Sequence, residues 1–473
     1  MFVGRGEELS ALNDLYNKNS FQLAVIYGRR RMGKTTLIKQ FVSDKPAIFF
    51  AAQEANERLN LQLFSGHVYN FFNLPQSTGT FADWYDAFSF IADKAITERF
   101  ILVIDEFPYI ASQNKSVGSI LQNIIDHRLK DTNIYIILCG SHIGFMEKDV
   151  LGYKSPLFGR RTAQLQIREF DYIDCGEMLT GASREDIIKY FACVGGTPHY
   201  LWQIDKSLSF EKNIIEMYFK PHGYLFAEPM MLLKQELREP AVYNSVISAV
   251  ATGAGKLNEI SVKIGEETSK AAKYIKTLVD LQILRREVPF GENPERSRKA
   301  LYQISDNCYR FWYRYVFLNR GAIETDTGKA VAESMVLPEI SAFIGKPAFE
   351  DICRRYLIRK SKNNSLPFLA TRFGTWWGTD NNSRRPADID VVADNSWQKC
   401  VLLCECKWKN ADTDASEIQK LIAKKSLLPG YSEYHFMFFS KSNFTESAIK
   451  FADKHDNLSL VTLDMLFDDI WEN

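Results

Sequence analysis

The 473 residues are too many for one hydrophobic core, and at roughly 100 to 200 residues per domain they predict about three domains. The 58 basic and 58 acidic residues cancel, so net charge favours no class of partner, and the hydrophobic content of 46% excludes a disordered chain. The eight cysteines form no even framework, and there is neither a signal-like start nor an apolar run of about 18 residues. We therefore expect a soluble, cytoplasmic protein with reduced thiols and no membrane partner.

A glycine-rich loop at residues 28–36 is the strongest motif in the first part of the chain. Its sequence, Gly-Arg-Arg-Arg-Met-Gly-Lys-Thr-Thr, follows an apolar run at 21–27 that predicts a strand, and it leads into an apolar helix. This is the context that the phosphate-binding motif G-x-x-x-x-G-K-S/T requires, because glycines let successive N–H groups converge on phosphates at the positive end of a helix. A chance match in a turn is the alternative, which the flanking strand and helix disfavour.

We expect this loop to bind a nucleotide together with Mg²⁺. Lys34 is predicted to reach the β and γ phosphates, and the Thr35 hydroxyl is predicted to bind the metal ion. The loop residues expected to contact the nucleotide are Gly28, Arg31, Met32, Gly33, Lys34, Thr35 and Thr36.

Two carboxylates, Asp105 and Glu106, end the next strongly apolar run, at residues 100–104. The run predicts a strand that delivers both acids to its C-terminal edge, where open α/β sheets bind ligands. There we expect Asp105 to hold Mg²⁺ through water and Glu106 to polarise the attacking water. An ordinary charged turn after a strand is the alternative, and the upstream loop disfavours it.

Further elements complete one predicted sheet. A helix over residues 8–15 precedes the loop, and short strands are predicted at 47–52, 134–138 and 162–167, with a helical region between the first two. Strands that alternate with helices predict a parallel, doubly wound α/β sheet.

Four more signatures accompany the loop and the two carboxylates. They are Phe2-Val3-Gly4-Arg5 with Glu8, Ser141 after the fourth strand, Pro156-Leu157-Phe158-Gly159-Arg160-Arg161, and Gly195-Gly196-Thr197-Pro198. Together these residues resemble the archaeal-type ATPase family, which lies near the STAND and origin-recognition ATPases among the AAA+-like P-loop proteins. The resemblance covers residues 1–230.

The resemblance implies roles for residues outside the loop. Val3, Gly4 and Arg5 are expected to border the adenine and ribose of ATP, and Ser141 to sense its γ-phosphate. Pro198 is expected to close the base pocket from a helical lid.

Arg160 becomes a candidate arginine finger or sensor through the same resemblance. It would act within one subunit or between the copies of a nucleotide-dependent homo-oligomer. An ordinary surface pair with Arg161 is the alternative, since arginine is also common in solvated turns.

Between residues 238 and 304 the pattern changes. Helices predicted at 242–250, 257–264 and 268–281 are followed by two short strands that flank a polar loop, which together predict a winged helix-turn-helix. A surface for DNA phosphates is offered by Lys270 and Lys273 on the third helix and by Arg296, Arg298 and Lys299 in the wing. Simple solvation of these side chains, with the domain packed internally, is an equally open alternative.

An aromatic run at residues 309–317 follows, with aromatic side chains all round a predicted helix. Its interleaved arginines and aromatics could stack on bases, but burial is favoured because an exposed patch of that size would be sticky. The polar, Gly-containing stretch at 319–329 then predicts a linker.

The C-terminal part of the chain centres on carboxylates and a lysine. Helices are predicted from Glu350 onward and at 416–428, and strands at 368–377, 387–392, 401–408 and 434–439. Residues two apart on a strand share a face, so Asp388 and Asp390 point one way, as do Glu405 and Lys407, while Cys404 and Cys406 face the opposite side.

This order of an acid followed by E-x-K on neighbouring strands is similar to the PD-(D/E)xK nuclease fold. The C-terminal domains of archaeal-type ATPases carry Trp-Trp-Gly, Glu-Ile-Asp and Glu-Cys-Lys-Trp. The first and last are intact here, as Trp376-Trp377-Gly378 and Glu405-Cys406-Lys407-Trp408. The middle motif differs from the family pattern, because Asp388 stands where Glu is usual. The predicted metal ligand is therefore either Asp388 or Asp390, and we favour Asp390.

Carboxylates at this spacing suit a divalent ion held against a scissile phosphate. We expect Glu350, Asp390 and Glu405 to bind Mg²⁺ or Mn²⁺, and Asp390, Glu405 and Lys407 to be catalytic. Alternating charge on a half-exposed strand is the alternative for the E-x-K motif taken alone. A zinc site at the cysteines is disfavoured, because no paired C-x-x-C or suitably spaced His accompanies them.

The predicted architecture is α/β throughout. It comprises a P-loop ATPase with a parallel sheet and helical lid at 1–230, a winged helix-turn-helix with an aromatic connector at 231–318, and a restriction-endonuclease-like domain at 330–473. The first functional hypothesis is a Mg²⁺-dependent ATPase that couples nucleotide state to DNA binding, and to DNA cleavage where the nuclease-like site is active. The second is a nucleotide-dependent switch or scaffold with an inactive C-terminal binding domain, which the absence of net positive charge favours.

Overall fold

The computed structural model describes residues 2–75, 79–237, 239–380 and 383–468. The chain divides into two compact units. The first consists of the described residues up to Phe170 together with residues 197–199, and the second of residues 171–196 together with the described residues from Tyr200 onward. The predicted domains 1–230, 231–318 and 330–473 are a finer division that stays a prediction, and residues 469–473 of the third lie outside the described residues.

Five parallel strands form the centre of the first unit. They are β1 Gln22–Tyr27, β2 Ala47–Ala51, β3 Ile101–Asp105, β4 Tyr135–Gly140 and β5 Ala163–Gln166. Their order in the sheet is β2-β3-β4-β1-β5, and every neighbouring pair is parallel. Because β4 lies between β1 and β3, the residue after β4 is flanked by the phosphate loop and by the Asp105-Glu106 pair.

Alternation along these strands divides the core of the first unit into two layers. In β1, Leu23 and Val25 join one buried cluster, whereas Ala24 and Ile26 join the other. Helices cover both faces, so the central strands are apolar at nearly every position, and the predicted doubly wound sheet is confirmed. The helices are α1 Gly6–Tyr16, α2 Lys34–Val42, α3 Glu57–Phe71, α4 Trp84–Thr97, α5 Phe107–Gln113, α6 Val117–Ile124 and α7 Ile143–Phe145, with π turns at Ile125–Leu129 and Met146–Val150.

The second unit begins with helices and a small two-stranded sheet. The helices are α8 Tyr172–Met178, α9 Arg184–Val194, α10 Pro198–Leu201, α11 Phe210–Tyr218, α12 Tyr224–Glu236, α13 Pro240–Ala251, α14 Leu257–Ile264 and α15 Thr268–Asp280. Of these, α10 starts in the first unit, at Pro198 and His199. The strands β6 Leu284–Glu287 and β7 Leu301–Ile304 pair antiparallel. The three helices and two strands predicted for the winged region are therefore present.

The aromatic run forms a buried connector. It starts as α16 Asn307–Phe311 and continues through a π turn at Trp312–Val316 and a 3-10 turn at Phe317–Asn319. Trp312 is fully buried, and its indole N–H donates to the Phe226 carbonyl oxygen at 2.9 Å. Burial of the run is confirmed.

The linker predicted at residues 319–329 is wrong. This stretch contains the helices α17 Arg320–Glu324 and α18 Gly328–Val331. At Gly328 the backbone comes so close to α11 and its C-terminal end that a Cβ would lie 2.2 Å from the Phe219 carbonyl oxygen. Glycine here permits tight packing rather than flexibility.

A second sheet, of mixed direction, forms the C-terminal region. Its strands are β8 Arg372–Thr379, β9 Pro386–Asn395, β10 Cys400–Lys407, β11 Glu433–Ser440 and β12 Leu458–Thr462, in the order β12-β11-β10-β9-β8. The pairs β8–β9 and β9–β10 are antiparallel, and β10–β11 and β11–β12 are parallel. The helices are α19 Ile340–Phe343, α20 Glu350–Lys362, α21 Ala415–Ala423 and α22 Glu446–Ala452.

Two details of this region differ from the predictions. The first strand begins at Arg372 rather than at residue 368, and β12 was not predicted because its apolar residues alternate over only five positions. All eight cysteines are buried and free, as expected for reduced thiols. Within the described residues, no helix has both the length and the apolar character needed to cross a membrane.

Candidate functional site

The phosphate loop joins β1 to α2 in a conformation that its glycines permit. Gly28 and Gly33 have φ angles of 155° and 83°, which L side chains rarely adopt. A Cβ at Gly28 would also lie 2.2 Å from the Ile167 carbonyl oxygen, so a larger residue does not fit. Gly33 is the N-cap of α2, and the first N–H groups of that helix therefore remain available to an anion at the loop.

Lys34 is buried under the loop, with 6% of its surface exposed. Its ammonium donates to the Gly28 and Arg29 carbonyl oxygens at 2.8 and 3.0 Å. Burial lowers the pKa of Lys34, an effect that Cys139 and the Glu106 carboxylate oppose. A cation that donates to neutral carbonyl oxygens can exchange them for phosphate oxygens, as the motif predicts.

Thr35 and Asp105 meet at the edge of the sheet. Thr35 Oγ1 donates to Asp105 Oδ2 at 2.7 Å, and Asp105 is 3% exposed at the end of β3. Thr35 itself and the neighbouring Thr36 are exposed. A hydroxyl and a carboxylate are hard oxygen ligands, and the exposed Thr35 keeps this position accessible, so the residues fit a Mg²⁺ ion that keeps several waters.

Glu106 and Ser141 are in direct contact. Glu106 Oε2 accepts from the Ser141 hydroxyl at 2.8 Å and from the Ser141 backbone N–H at 3.1 Å. Glu106 has a φ of 52°, which is uncommon for a residue with a side chain. The residue predicted to activate water and the residue predicted to sense the γ-phosphate thus share one oxygen atom.

The N-terminal segment Val3-Gly4-Arg5 reaches the same loop. Arg5 Nη2 donates to the Met32 carbonyl oxygen at 3.0 Å, and Arg5 is 6% exposed. Pro198 Cγ lies 4.0 Å from the position of a Cβ on Gly33. Arg5 and Pro198 therefore lie next to the loop, and the contacts of Val3, Gly4, Arg5 and Pro198 with adenine and ribose stay predictions.

Arg160 lies in a salt bridge away from these residues. Its Nε and Nη2 donate to the two carboxylate oxygens of Asp126 at 3.0 and 2.6 Å, and its Nη1 donates to the Pro156 and Phe158 carbonyl oxygens at 3.0 Å each. None of these partners belongs to the phosphate loop. The finger or sensor role of Arg160 stays a prediction, and such a role requires Asp126 to be released.

A second group of acids lies on the C-terminal sheet, where β9 and β10 pair antiparallel. Asp390 is 5% exposed, and its Oδ2 accepts from the Cys406 backbone N–H at 2.9 Å. Burial raises the pKa of Asp390, and the Glu405 carboxylate adds to the shift. Burial also raises the pKa of Glu350 to about 8, with a further contribution from Asp390. Asp390 is therefore close enough to repel both Glu405 and Glu350.

Lys346 lies among these acids. Its Nζ is 2.9 Å from Asp388 Oδ2, 3.3 Å from Glu350 Oε1 and 3.9 Å from Asp390 Oδ1. Burial works against its charge, but the carboxylates raise the pKa of Lys346 above its usual value. The contacts confirm that Asp388 and Asp390 share a face of β9.

Two more lysines form salt bridges with the Glu405 carboxylate. Lys407 Nζ lies 2.5 Å from Glu405 Oε1, and Lys424 Nζ lies 2.6 Å from Glu405 Oε2. The shared face of Glu405 and Lys407 is confirmed.

The acids chosen as metal ligands, Glu350, Asp390 and Glu405, are hard oxygen donors of the kind that Mg²⁺ and Mn²⁺ prefer. As arranged here, however, no group of three or more His, Cys, Asp or Glu side chains in the described ranges is placed to hold a metal ion. Lysine ammoniums take the positions next to the carboxylates instead. The donor set fits a divalent ion only after Lys346, whose side chain is 61% exposed, leaves Glu350 and Asp390, and after a lysine leaves Glu405.

Lys346 and Lys424 were not singled out from the sequence. Lys346 is 42 residues from Asp388, and Lys424 is 19 residues from Glu405, so neither belongs to a local motif. The basic residues expected to face DNA include two that are already paired: Lys270 lies 2.9 Å from Glu266, and Lys299 lies 2.7 Å from Glu292.

Comparison with known proteins identifies the family of this chain. Residues 2–204 match the family described as an ATPase domain predominantly from Archaea, and residues 312–419 match a family of archaeal and bacterial proteins of unknown function. An uncharacterised protein of Methanocaldococcus jannaschii, MJECL04, is 34% identical over 437 residues, which is 92% of this chain and 94% of that protein. The chain belongs to this family of archaeal ATPases.

Other proteins match a shorter part of this chain or are less similar to it in sequence. The uncharacterised ATP-binding protein MJ0423 of the same organism is 53% identical over 45 residues, which is 10% of this chain and 76% of that protein. The Walker-type ATPase PABY2304 of Pyrococcus abyssi superposes with a TM-score of 0.48 at 20% identity, over 66% of this chain and 96% of that one. The ORC2 protein of Aeropyrum pernix superposes with a TM-score of 0.44 at 13% identity, over 68% of this chain and 94% of that one.

The family assignment implies ATP binding by the first unit. The C-terminal match is to a family of unknown function, so the nuclease-like identity of that region stays a prediction.

Proposed function

We propose that this protein is a Mg²⁺-dependent ATPase whose nucleotide state controls a metal-dependent, nuclease-like site acting on DNA. The observation that carries the ATPase part is the 2.7 Å hydrogen bond from Thr35 to Asp105, beside a buried Lys34. A hydroxyl, a carboxylate and an ammonium around a glycine loop supply a metal site and a phosphate site together.

Water activation in this proposal depends on Ser141. In the present arrangement, both the hydroxyl and the backbone N–H of Ser141 donate to Glu106 Oε2. A γ-phosphate that accepts from the Ser141 hydroxyl would remove one of these bonds and free Glu106 to polarise a water molecule. Sensing and hydrolysis would then be coupled through two neighbouring side chains.

The C-terminal part of the proposal assigns Asp390, Glu405 and Glu350 to a divalent ion and Lys407 to charge stabilisation at a phosphodiester. It is supported by three acids and a lysine on neighbouring elements and by the raised pKa values of Asp390 and Glu350, which are typical of functional carboxylates. The metal would polarise the phosphodiester, and Lys407 would hold negative charge beside it.

A second candidate function is a nucleotide-dependent switch whose C-terminal region only binds nucleic acid or protein. The observation that favours it is the pairing of Asp388 and Glu405 with Lys346, Lys407 and Lys424, which neutralises the acids without a metal. A finger role for Arg160, and the homo-oligomer that it implies if it acts between copies, are compatible with either function.

One experiment tests both candidates. The purified protein is incubated with single-stranded, duplex and branched DNA, with and without ATP, and with Mg²⁺, Mn²⁺ or EDTA, while phosphate release, DNA binding and DNA cleavage are measured. We expect ATP turnover that EDTA abolishes, and cleavage only with a divalent ion. Turnover and ATP-dependent DNA binding without cleavage would favour the switch, and no ATP turnover under any condition would overturn the proposal.

A further inference from the structure

A cavity of about 530 Å³ lies within the second unit, between the wing, the aromatic connector and the carboxylate face of β9. Its lining includes Gln303 of β7, Arg310 of α16, and the acids Glu350, Asp388 and Asp390. Small-molecule sites have volumes of roughly 300 to 1,000 Å³. The cavity therefore suits a ligand of that size, and not a DNA duplex.

Several of the charged side chains around the cavity neutralise one another. Asp351 accepts from Arg285 Nη1 at 2.7 Å and also from Arg354. Asp388 accepts from Lys346 Nζ at 2.9 Å. Each of these acids therefore already has a cationic partner.

Arg310 is different. It is 8% exposed, and its Nη1 and Nη2 donate to the carbonyl oxygens of Lys346 and Ala192 at 3.3 and 3.4 Å, which are long hydrogen bonds. Its guanidinium carbon lies 4.0 Å from the centre of the Phe343 ring. Its Nε has no hydrogen-bond partner, and no carboxylate in the described part of the chain lies within ion-pair distance of it.

An arginine this deeply buried is normally paired, because removing a charge from water is costly unless an anion compensates it. Burial lowers the pKa of Arg310 to about 10, so the guanidinium keeps its charge at neutral pH. Arg310 lines the cavity, and no carboxylate of the described residues pairs with its guanidinium, so the cavity offers an uncompensated positive charge to an anionic group.

We propose that the cavity binds a phosphate-bearing ligand of mononucleotide or dinucleotide size, with a phosphate accepting from Arg310 and lying near Asp388 and Asp390. The inference rests on the proposed function, since a divalent ion at those acids would share the same phosphate. Trp377 and Tyr315 also line the cavity and offer aromatic surface on which a base can stack, which favours a nucleotide over a simple carboxylate. A free nucleotide and the end of a strand present the same chemistry.

The test measures binding of thymidine 5′-monophosphate and of the 5′-phosphorylated thymidine dinucleotide by calorimetry, in EDTA. The full-length protein carries Lys34→Ala, so that the phosphate loop does not compete. We expect saturable binding, and an affinity lower by about tenfold or more when Arg310→Met is added, because a charge-assisted hydrogen bond to phosphate is lost. Arg320→Met, at an arginine that does not line the cavity, is the matched control and should bind like its parent.

The ligand-free melting temperature separates binding from folding. Arg310→Met removes a buried charge but also the donor of the Lys346 and Ala192 carbonyl oxygens, so the two effects offset each other and we expect a melting temperature close to that of the parent. Arg310→Lys keeps the charge and should keep part of the affinity. A lower melting temperature with unchanged dinucleotide affinity would make Arg310 a structural residue and would overturn the inference, as would the absence of binding in the parent.

Asp390→Asn distinguishes this inference from the proposed function. Binding in EDTA should persist in this variant, because removing a negative charge lowers repulsion with phosphate, while DNA cleavage should be lost. DNA cleavage without Arg310-dependent nucleotide binding would support the proposed function and overturn the inference. Arg310-dependent nucleotide binding without DNA cleavage would support the inference and contradict the proposed cleavage. Equal affinities for the two probes would indicate that the ligand is a free nucleotide, whereas tighter binding of the dinucleotide would indicate the end of a strand. Either result supports a phosphate site.

Discussion

In the nucleotide site, Asp105 and Glu106 accept hydrogen bonds from the hydroxyls of Thr35 and Ser141, and Lys34 donates to two backbone carbonyls. In the C-terminal cluster, carboxylates of the same kind accept from lysine ammoniums. Lys346 pairs with Asp388, and both Lys407 and Lys424 pair with Glu405.

The difference decides how readily each site takes a charged ligand. At the first site, the hydrogen bonds of Lys34, Asp105 and Glu106 are to neutral groups, so an incoming ligand can replace them without breaking a direct ion pair. At the C-terminal site, an incoming cation has to displace ammonium groups that already neutralise the acids. The first site is therefore open to a nucleotide phosphate, and the second requires a rearrangement before it holds a metal.

The largest expected effect concerns the second site. Asp390→Ala and Glu405→Ala should each abolish metal-dependent DNA cleavage and leave ATP turnover intact, because the two sites belong to different compact units. Glu350→Ala should reduce cleavage less, as an outer ligand. Cleavage is measured with Mg²⁺ and Mn²⁺, and Asp453→Ala, at an exposed acid of the same region, is the control. Cleavage at the unaltered rate in the first two variants would point to a contaminating nuclease.

Glu106→Gln should lower ATP turnover by roughly 10²- to 10⁴-fold, the usual contribution of a general base, while ATP binding survives. The amide keeps the shape of the side chain and loses the charge that polarises water. Binding is measured by calorimetry and turnover by phosphate release, with Glu98→Gln as the exposed control. Turnover equal to that of the unaltered protein would remove Glu106 from the catalytic role.

Lys34→Ala should lower ATP turnover by roughly 10²- to 10³-fold, because the phosphates lose a fixed ammonium. Lys39→Ala changes an exposed lysine on the same helix and should turn over ATP normally. If both variants hydrolyse ATP alike, the assignment of the phosphate site is wrong.

The smallest effect sharpens the comparison itself. Lys346→Met should raise the Mn²⁺ affinity of the C-terminal site by about three- to fivefold, the modest gain expected when a largely exposed ion pair is removed. Mn²⁺ binding is measured by calorimetry without nucleotide, and Lys420→Met, at an exposed lysine outside the cluster, is the control. A fall in affinity would mean that Lys346 helps to organise the site rather than competing with the metal.

Features with a local signal could be predicted closely. The phosphate loop, the strand that ends at Asp105 and the winged elements all follow from spacing and periodicity within a few residues. The linker at 319–329 was predicted wrongly, because a polar composition does not reveal that Gly328 packs against the backbone of Phe219. The strand β12 was missed because five residues give too short a pattern.

The sequence by itself determined which side chains are available at the end of each element: Lys34 and Thr35 after β1, Asp105 at the end of β3, and Glu405 and Lys407 on β10. Only the tertiary structure decided what each of them contacts. The strand order β2-β3-β4-β1-β5 brings Ser141 to Glu106, and the approach of Lys346 to β9 neutralises Asp388. The physical reason is that periodicity and capping act over a few residues of chain, whereas electrostatic partners are chosen by distance in space, often after dozens of intervening residues.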